Sequence, residues 1–535
     1  MTTAALPAAE RPAYFTTGWT GGHNPWAIAL VVTMATFMEV LDTSIANVSL
    51  PHIAGNLSVS TDEGTWVLTS YLVSNAIVLP ISGWIASKVG RKRFYMACVA
   101  LFTISSFLCG IAPSLGWLIF FRILQGVGGG GLGPCEQSIL ADTFPPAKRG
   151  MAFAVYGMAV VLAPAIGPTL GGYITDHYNW RWVFFINVPV GILSLFLSNH
   201  FVTDPPHLKQ MKEKAGKIDY IGLSLIAVGL ATLEVVLDKG QEEDWFHSSF
   251  IVTFLLIAAV ALTSFVFWEL NHKNPIVDVR LFKNRNFAAA NIMMFVLGIT
   301  LFGTTVLLPQ FMQLMMGYTA EQSGMALSPG GITVILLLPF VGMSVSKVDP
   351  RYLIAFGFAV SSASLYYMTT HLYQGIDFKT AMFLRIYQSV GLAFLFVPIN
   401  TLVYSGVPLE KNNAVSGIVN LSRNMGGDVG IAFVTMMIAR RAQKHQMDLS
   451  AHTTHYNPAF QSKLNGIVAA VQHSGTSAAD AMHAATASMY GQLVQQATTL
   501  AYIDVLKILS IITGIMVPLL FLTQKPKGGP APAGH

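Results

Sequence analysis

The chain has 535 residues, of which 53% are hydrophobic and only 11% are charged. Soluble domains carry about 25% charged residues, so this chain has too few charges to cover a surface that faces water. The formal net charge of +5 is spread over small clusters, which excludes a nucleic-acid-binding surface. Cys98, Cys109 and Cys135 lie in apolar runs without a C-x-x-C spacing and indicate neither a disulfide framework nor a metal site. The composition predicts an integral membrane protein.

Fourteen segments are long and apolar enough to cross a bilayer, since a spanning helix needs about 20 mostly apolar residues. They lie near 26–50, 66–87, 94–112, 115–142, 151–175, 181–203, 218–237, 248–270, 287–316, 324–346, 352–371, 380–407, 414–438 and 500–522. The sequence therefore predicts an all-α polytopic membrane protein with fourteen transmembrane helices.

Lysine and arginine residues are divided unequally between the short loops of the two sides. Seventeen lie on the side of the N-terminus, and three (Arg181, Lys239 and Lys379) lie on the other side. Because basic loops stay in the cytoplasm, the tails 1–25 and 523–535 are both predicted to be cytoplasmic. The long loop 439–499 is then predicted to face the periplasm.

The stretch RILQGVGGGGLGP (122–134) permits two interpretations. Gly126, Gly128 and Gly131 spell G-x-G-x-x-G, which in a soluble βαβ unit cradles a dinucleotide. Here the glycines follow an apolar helix rather than a strand, which excludes a nucleotide site. Small residues in a membrane helix let a neighbouring backbone approach closely, and unwinding would leave backbone groups unsatisfied. The stretch is therefore predicted to be an unbroken packing helix.

The same stretch has a second copy, because RILQGVG at 122–128 reappears as RIYQSVG at 385–391. The match predicts two six-helix bundles, 26–203 and 287–522, with two inserted transmembrane helices in 218–270. A parallel repeat is a transporter layout in which the substrate binds near the membrane midplane between the halves. The repeated polar residues are predicted to line that cavity: Arg122, Gln125, Arg385 and Gln388.

Four motifs resemble signatures of the major facilitator superfamily, and specifically of its fourteen-span drug:proton antiporters of the EmrB/QacA type. They are LDTSIANVSLP (41–51), GWIASKVGRKRF (83–94), RILQGVGGGGLGP (122–134) and APAIGPTLGG (163–172). Further segments are closest to the Gram-negative EmrB-type members: PPAKRGMA (145–152), WRWVFFINVPVG (180–191), LDKGQEEDWF (237–246) and NPIVDVRLFKNRNF (274–287).

The resemblance implies the major facilitator fold and multidrug efflux driven by the proton gradient, without any other cofactor. In that family the G-P-x-x-G-G helix, here Gly167, Pro168, Gly171 and Gly172, is associated with antiport. The resemblance also implies a place in the bacterial inner membrane, with a periplasmic membrane-fusion adaptor and an outer-membrane channel as partners.

The family's loop between the second and third spans usually reads G-x-x-x-D-x-x-G-[RK]-[RK]. This chain matches it at four positions: Gly83, Gly90, Arg91 and Lys92. Ser87 stands where the family has the aspartate, so Asp142, at the cytoplasmic end of the fourth span, is one predicted partner for Arg91. The other interpretation of Asp142 is a solvated loop charge.

Charges inside the spans carry the predicted mechanism, because each costs a few kcal/mol unless it is paired or hydrated. Glu39 and Asp42 share one face of the first helix. At 1.5 Å per residue, Asp42 and Arg122 both lie about 12 Å below the outer surface, so the two side chains are predicted to pair. Glu39 and Gln125 also lie at equal depth, one helical turn deeper. This group is interpreted as a proton-loading site, and a static ion pair is the alternative.

Further polar residues lie deeper in the spans. Glu136 returns to the face of Arg122 nearer the cytoplasm, where it could attract a cationic drug, relay a proton, or form a hydrated pore rim. In the thirteenth span Asn420, Asn424 and Asp428 form an i, i+4, i+8 stripe. Asp428 is predicted to be a second proton or substrate site, with Arg423 as its neutralising partner.

The segment 439–499 is predicted to be partly helical and to form the surface for the adaptor protein, a mobile unpartnered loop being the alternative. Its irregularly spaced histidines predict a solvated loop rather than a metal site: His445, His452, His455, His473 and His483. Asp504 and Lys507, at i and i+3, are predicted to neutralise each other. Soft side chains of the ninth span fit either core packing or a broadly specific cavity: Met293, Met294, Phe295, Phe302, Phe311, Met312, Met315 and Met316.

Together these features predict a proton-driven multidrug exporter that works by alternating access and performs no covalent chemistry. Two alternatives on the same fold are a proton-coupled importer and a narrow-specificity metabolite or fatty-acid carrier. Alternatives from other functional classes are a membrane-embedded enzyme and a non-transporting receptor. An enzyme would place a nucleophile or a His/Asp constellation on adjacent helices, and the sequence contains none.

Overall fold

The computed structural model describes residues 18–206, 208, 219–405, 407–454, 456–473 and 475–524. These residues form helices joined by short loops, and none of them lies in a strand. The α-helices longer than ten residues are numbered here in chain order: α1 Pro25–Leu57, α2 Trp66–Val89, α3 Arg91–Gly110, α4 Leu115–Gly129, α5 Leu132–Thr143, α6 Arg149–His177, α7 Asn187–Phe201, α8 Tyr220–Lys239, α9 Ser249–Asn271, α10 Arg285–Met316, α11 Ala320–Ser344, α12 Pro350–His371, α13 Phe378–Val403, α14 Asn412–Ser450, α15 Pro458–His473 and α16 Ala478–Leu519.

Local sequence sets where several of these helices begin and end. At the start of α1 the Asn24 side chain accepts a hydrogen bond from the Trp26 amide, and Pro25 occupies the first turn, where its missing N–H costs nothing. Helix α10 ends at Gly317 with a φ of 69°, a left-handed conformation that glycine adopts freely. Helix α11 then begins with a capping box between Thr319 and Gln322.

A helix lies over each of the fourteen predicted spans. Twelve helices of the described chain are long and apolar enough to cross a membrane, or thirteen when the two parts of α6 count as one span. Helix α6 bends by 42° between Pro164 and Ile166, where prolines interrupt the helical hydrogen bonds. The remaining predicted span, 414–438, lies in the more polar α14. The chain is a multi-pass membrane protein, and the all-α prediction is confirmed.

The glycine-rich stretch packs α4 and α5 tightly against α2 and α3. A Cβ added at Gly126 would lie 2.4 Å from the carbonyl oxygen of Tyr71, and one at Gly128 would lie 2.7 Å from the amide nitrogen of Phe102. The packing role is confirmed. Gly130 and Gly131 lie between α4 and α5, but both keep right-handed backbone angles, and the Gly130 amide donates to the Gly126 carbonyl oxygen at 2.9 Å. The two helices therefore form one span, Leu115–Thr143, as predicted.

Two groups of helices form the halves of the molecule: α1–α7 form the N-half, and α10–α14 with α16 form the C-half. The halves meet where α6 packs on α11 and where α2 and α5 pack on α14. The inserted helices α8 and α9 pack on each other, and α8 also contacts α2 and α14. This is the predicted arrangement of two six-helix bundles with two inserted helices.

Two ends of the bundle are used as reference points below. The Arg91 end is where α2 passes into α3. The opposite end carries the arm, residues 439–499, which consists of the last turns of α14, helix α15 and the first turns of α16. The arm is thus largely helical, since α14 continues to Ser450 and α16 already begins at Ala478.

Candidate functional site

Asp42 and Arg122 form a buried ion pair in the N-half. The Nη1 atom of Arg122 donates to Oδ2 of Asp42 at 2.6 Å, and neither side chain is exposed. Oδ1 of Asp42 accepts from Gln125 Nε2 at 3.0 Å and from Asn187 Nδ2 at 2.6 Å. The charge is therefore compensated by one cation and two amides, as a buried carboxylate requires.

Tyr71 lies between this pair and Glu39. The guanidinium carbon of Arg122 lies 4.3 Å from the centroid of the Tyr71 ring, a cation–π contact. The Tyr71 hydroxyl donates to Oε1 of Glu39 at 3.2 Å, and Asn75 Nδ2 donates to the same oxygen at 3.2 Å. Glu39 therefore lies beside the pair as predicted, and an aromatic side chain separates the two carboxylates.

A cavity of about 170 Å³ lies between the halves at mid-depth. Its charged lining consists of Glu39 from α1 and of Arg423 and Asp428 from α14, and Asn75 and Asn424 add amides. Apolar side chains, including Phe302, complete its wall. Such a mixture of apolar wall and few polar groups is typical of ligand sites.

The predicted site residues divide into two groups around this cavity. Glu39, Asn424 and Asp428 line it. The others are buried in the surrounding protein: Asp42, Arg122, Gln125, Glu136, Arg385, Gln388 and Asn420. Of the soft side chains in the ninth span, Phe302 lines the cavity, whereas Met293, Met294, Phe311 and Met312 belong to the packed core.

Glu136 is fully buried, so its interpretation as a hydrated pore rim is wrong. Its Oε1 accepts from the Thr33 hydroxyl at 2.6 Å, and its Oε2 has no hydrogen-bond partner. Helix α5 packs against α1 and α14, which removes this carboxyl from water.

The matching arginine of the C-half has neutral partners. Nη1 of Arg385 donates to Oε1 of Gln388 at 2.7 Å and to the Thr304 hydroxyl at 3.2 Å. Gln388 donates to the same hydroxyl at 2.8 Å. In the N-half, Nη1 of Arg122 likewise donates to Oε1 of Gln125 at 2.8 Å. The repeat thus preserves the Arg–Gln contact, and Thr304 takes the place that Asp42 has in the N-half.

The polar stripe of α14 connects the halves below the cavity. The Tyr156 hydroxyl of α6 donates to Oδ1 of Asn420 at 3.0 Å and accepts from Arg423 Nη1 at 3.0 Å. Arg423 also donates to Oδ1 of Asn424 at 3.1 Å from Nη2. The predicted ion pair between Arg423 and Asp428 is therefore wrong: the guanidinium is turned toward Tyr156 and interacts electrostatically with Glu39.

At the Arg91 end, polar contacts hold the halves together. Arg91 Nη2 donates to Oδ2 of Asp142 at 2.8 Å, and both side chains are buried, so Asp142 is a partner of Arg91 and not a solvated loop charge. Asn412 of the C-half donates to Oδ1 of the same Asp142 at 2.8 Å. The hydroxyl oxygens of Ser138 and Ser416 lie 2.7 Å apart across the same seam.

The remaining residues of this loop motif also make close contacts. Asn413 donates to the Ser87 hydroxyl at 3.2 Å, so the serine that replaces the family's aspartate contacts the other half. A Cβ at Gly83 would lie 2.4 Å from the Asn413 carbonyl oxygen. Gly90 has a φ of 107°, and the Lys92 amide donates to Asp204 at 2.8 Å.

The glycines of α6 differ in how closely they are packed. A Cβ at Gly167 would lie 2.2 Å from the Ser44 hydroxyl, and one at Gly171 would lie 3.1 Å from Ile45, both on α1. Gly172 has open space around it. Pro168 lies within the helix, after the bend. These contacts seat α6 against α1, the helix that carries Glu39 and Asp42.

The prediction for Asp504 is wrong. Its Oδ2 contacts Nε2 of His445 at 2.9 Å and Nη1 of Arg441 at 3.7 Å, whereas Lys507 is exposed. The long α14 brings His445 against α16, so this histidine is not part of a solvated loop. His452, His473 and His483 are exposed, and His455 lies outside the described residues. No cluster of metal-ligating side chains occurs in the described chain.

Several site residues were not anticipated from the sequence: Tyr71, Asn75, Asn187 and Thr304. Asn75 follows Tyr71 by one helical turn, and Asn187 is the one polar residue in the apolar stretch WVFFINVPVGIL (182–193). Polar side chains in such spans usually face the bundle interior, which is the signal that could have identified them.

Comparisons with known proteins agree with this architecture. The family model described as "Major Facilitator Superfamily" matches residues 32–431. The "Multidrug export protein EmrB" of Escherichia coli strain K12 is 39% identical over 82% of this chain and 86% of its own length. The "Fatty acid resistance protein FarB" of Neisseria gonorrhoeae is 37% identical over 95% of this chain and 97% of its own. The solved proton:xylose symporter XylE shares the fold with a TM-score of 0.58 at 13% identity, covering 94% of this chain and 97% of XylE.

Proposed function

Because the chain belongs to the major facilitator superfamily and is 39% identical to an EmrB-type multidrug export protein over 82% of its length, we propose that it exports hydrophobic toxic compounds in exchange for protons. The proton gradient across the bacterial inner membrane supplies the energy, and no other cofactor takes part. Both termini lie in the cytoplasm, so the Arg91 end is cytoplasmic and the arm is periplasmic.

The observation that carries this proposal is the cavity between the halves, which presents Glu39 and Asp428 from opposite halves. A carboxylate in an apolar cavity attracts either a proton or a cationic ligand, and both cannot occupy it at once. Competition for these two carboxylates couples drug release to proton uptake. In this scheme Asp42 acts through Arg122 and Tyr71, which connect it to Glu39.

Alternating access follows from where the halves touch. Contacts between Asp142 and Asn412 and between Ser138 and Ser416 close the cytoplasmic end in this conformation. The cavity volume of about 170 Å³ is smaller than the roughly 300 Å³ that small-molecule sites need. Separation of the halves at the Arg91 end therefore has to widen the cavity before a drug enters from the cytoplasm.

The arm is the proposed docking surface for a periplasmic membrane-fusion adaptor, which continues to an outer-membrane channel. Tyr456 and Met447 expose 95% and 68% of their surfaces. Large exposed apolar side chains on a helical projection are typical of protein–protein contacts.

Proton flux in everted membrane vesicles tests the proposal. A lipophilic cationic drug is added to vesicles that hold an acid-inside pH gradient, with Glu39→Gln, Asp428→Asn and Asp448→Asn as variants. We expect drug addition to dissipate the gradient in the wild type and in Asp448→Asn, whose carboxylate is exposed on the same helix α14. Glu39→Gln and Asp428→Asn should lose most of this response.

Two results would contradict the proposal. A wild-type protein that leaves the gradient unchanged with a broad drug panel is not a multidrug antiporter. A response to long-chain fatty acids alone would indicate the narrow-specificity carrier, with Arg423 in the cavity as the group that binds the carboxylate.

A further inference from the structure

Helix α8, the first of the two inserted helices, carries a buried carboxyl group that the mechanism above does not use. Glu234 exposes 1% of its surface, and its Oε2 atom has no hydrogen-bond partner. The rest of the helix is mostly apolar, from Tyr220 to Leu237. An ionisable group inside the bilayer is costly and usually serves a function.

The neighbours of Glu234 are carboxylates. Asp238 lies one turn further along α8, and Asp428 lies on α14, against which α8 packs; both interact electrostatically with Glu234. At 1.5 Å per residue, Glu234 and Asp428 both lie roughly 20–25 Å from the Arg91 ends of their helices. Asp428 therefore lies between the cavity on one side and the inserted helix α8 on the other.

Helices α2 and α9 also pack against α8. Helix α2 presents the Thr69 hydroxyl, which donates to Asp238. Helix α9 carries Glu269 at the opposite end of the membrane, where its Oε1 accepts from the Ile276 amide. Among the ion pairs of the described chain, none joins a lysine or arginine to Glu234.

A series of carboxyl groups continues from Glu234 to the arm end. Beyond Asp238, Lys239 contacts the Thr65 hydroxyl and donates to Oε2 of Glu242 at 2.6 Å. The side chain of Glu242 is 35% exposed. The order from cavity to surface is Asp428, Glu234, Asp238 and Glu242.

We propose that Glu234 is a further proton-binding group beside Glu39 and Asp428, through which a proton from the arm end reaches Asp428. In this step Asp238 gives a proton to a Glu234 carboxylate oxygen, and Glu234 passes one to Asp428, so a single proton moves inward and no other bond changes. Three neighbouring carboxyls cannot all be ionised in a medium of low dielectric, so they share protons as one group. This inference rests on the proposed antiport, and it assigns the inserted helices a part in coupling.

The experiment measures drug binding and proton release separately on purified protein in weakly buffered detergent. Glu234→Gln should bind a fluorescent lipophilic drug within about 3-fold of the wild-type affinity and release about half as many protons per drug or fewer. Glu234→Asp, which keeps a carboxyl, should recover the release. Glu269→Gln, the matched control on the other inserted helix, should behave as the wild type.

A second measurement needs no variant. The hydrophobic carbodiimide DCCD modifies protonated carboxyls in apolar surroundings, and mass spectrometry of the wild-type protein should show modification of Glu234 that decreases as the pH rises. Wild-type proton release in Glu234→Gln, or modification of Asp428 without Glu234, would overturn this inference and leave antiport intact. Drug binding without proton release in the wild type would overturn antiport as well.

Discussion

Arg122 and Arg385 occupy matching positions in the two halves, yet only Arg122 has a carboxylate partner. Its Nη1 atom lies 2.6 Å from Oδ2 of Asp42, whereas Nη1 of Arg385 meets the Thr304 hydroxyl at 3.2 Å. The N-half therefore holds a neutralised ion pair at mid-depth, and the C-half holds a buried cation among neutral groups. The C-half copy thus keeps the arginine and its glutamine, but the neutral Thr304 stands where the N-half has the carboxylate of Asp42.

The first prediction concerns the stability of the N-half. Asp42→Asn should lower the free energy of unfolding by about 3–5 kcal/mol, because it leaves the buried Arg122 without a counter-charge. Thr304→Ala, which removes a neutral partner of Arg385, should cost about 1 kcal/mol. Thermal unfolding of purified protein in detergent compares them. If Asp42→Asn unfolds at the wild-type temperature but does not transport, the pair serves coupling and not stability.

Gly83 and Gly172 provide a test of closure at the Arg91 end. Gly83→Ala should prevent full closure there, because the new Cβ would lie 2.4 Å from the Asn413 carbonyl oxygen. The expected result is a several-fold loss of drug export, with normal amounts of protein in the membrane. Gly172→Ala has open space around it and should export as the wild type does. Equal export by both variants would show that the Gly83 contact does not form during transport.

A disulfide across the seam should lock this conformation. Ser138 and Ser416 have hydroxyl oxygens 2.7 Å apart and belong to different halves. The double variant Ser138→Cys/Ser416→Cys should therefore crosslink on oxidation, lose transport, and regain it on reduction. Each single variant should transport under both conditions. Transport by the fully crosslinked protein would contradict alternating access at this seam.

The arm provides a test of adaptor docking. Tyr456→Ala combined with Met447→Ala should reduce co-purification with the adaptor several-fold, while drug-driven proton flux in vesicles stays unchanged. Phe521, at the opposite end, exposes 87% of its surface, so Phe521→Ala is a control of similar apolarity. Unchanged co-purification of the double variant would place the docking surface elsewhere.

Depth along a helix correctly identified one central contact inside the membrane. Counting residues from the helix ends sufficed to pair Asp42 with Arg122, because helices that cross the same slab share one scale of 1.5 Å per residue. Equal depth also predicted that Gln125 lies beside Glu39, whereas its Nε2 atom donates to Asp42. Depth does not determine the direction in which a long side chain turns, and Gln125 turns toward the ion pair.

Other contacts could not be derived from spacing along one helix. Asp504 and Lys507 share a helix face, but the continuation of α14 past residue 439 presents His445 to Asp504 instead. Arg423 lies near Asp428 in sequence and is drawn away by Tyr156 of the other half. In both cases the partner lies on another helix, so the spacing of residues along one helix cannot identify it.

Helix α14 runs without interruption from Asn412 to Ser450, which at 1.5 Å per residue is about 58 Å. One continuous helix thus touches Asp142 at the Arg91 end, carries Asp428 in the cavity, and ends in the arm beside Asp504. A tilt of a few degrees at Asn412 moves the far end by several ångströms. A protein bound to the arm would therefore be displaced whenever the halves separate at the Arg91 end, so the arm would report whether that end is open or closed.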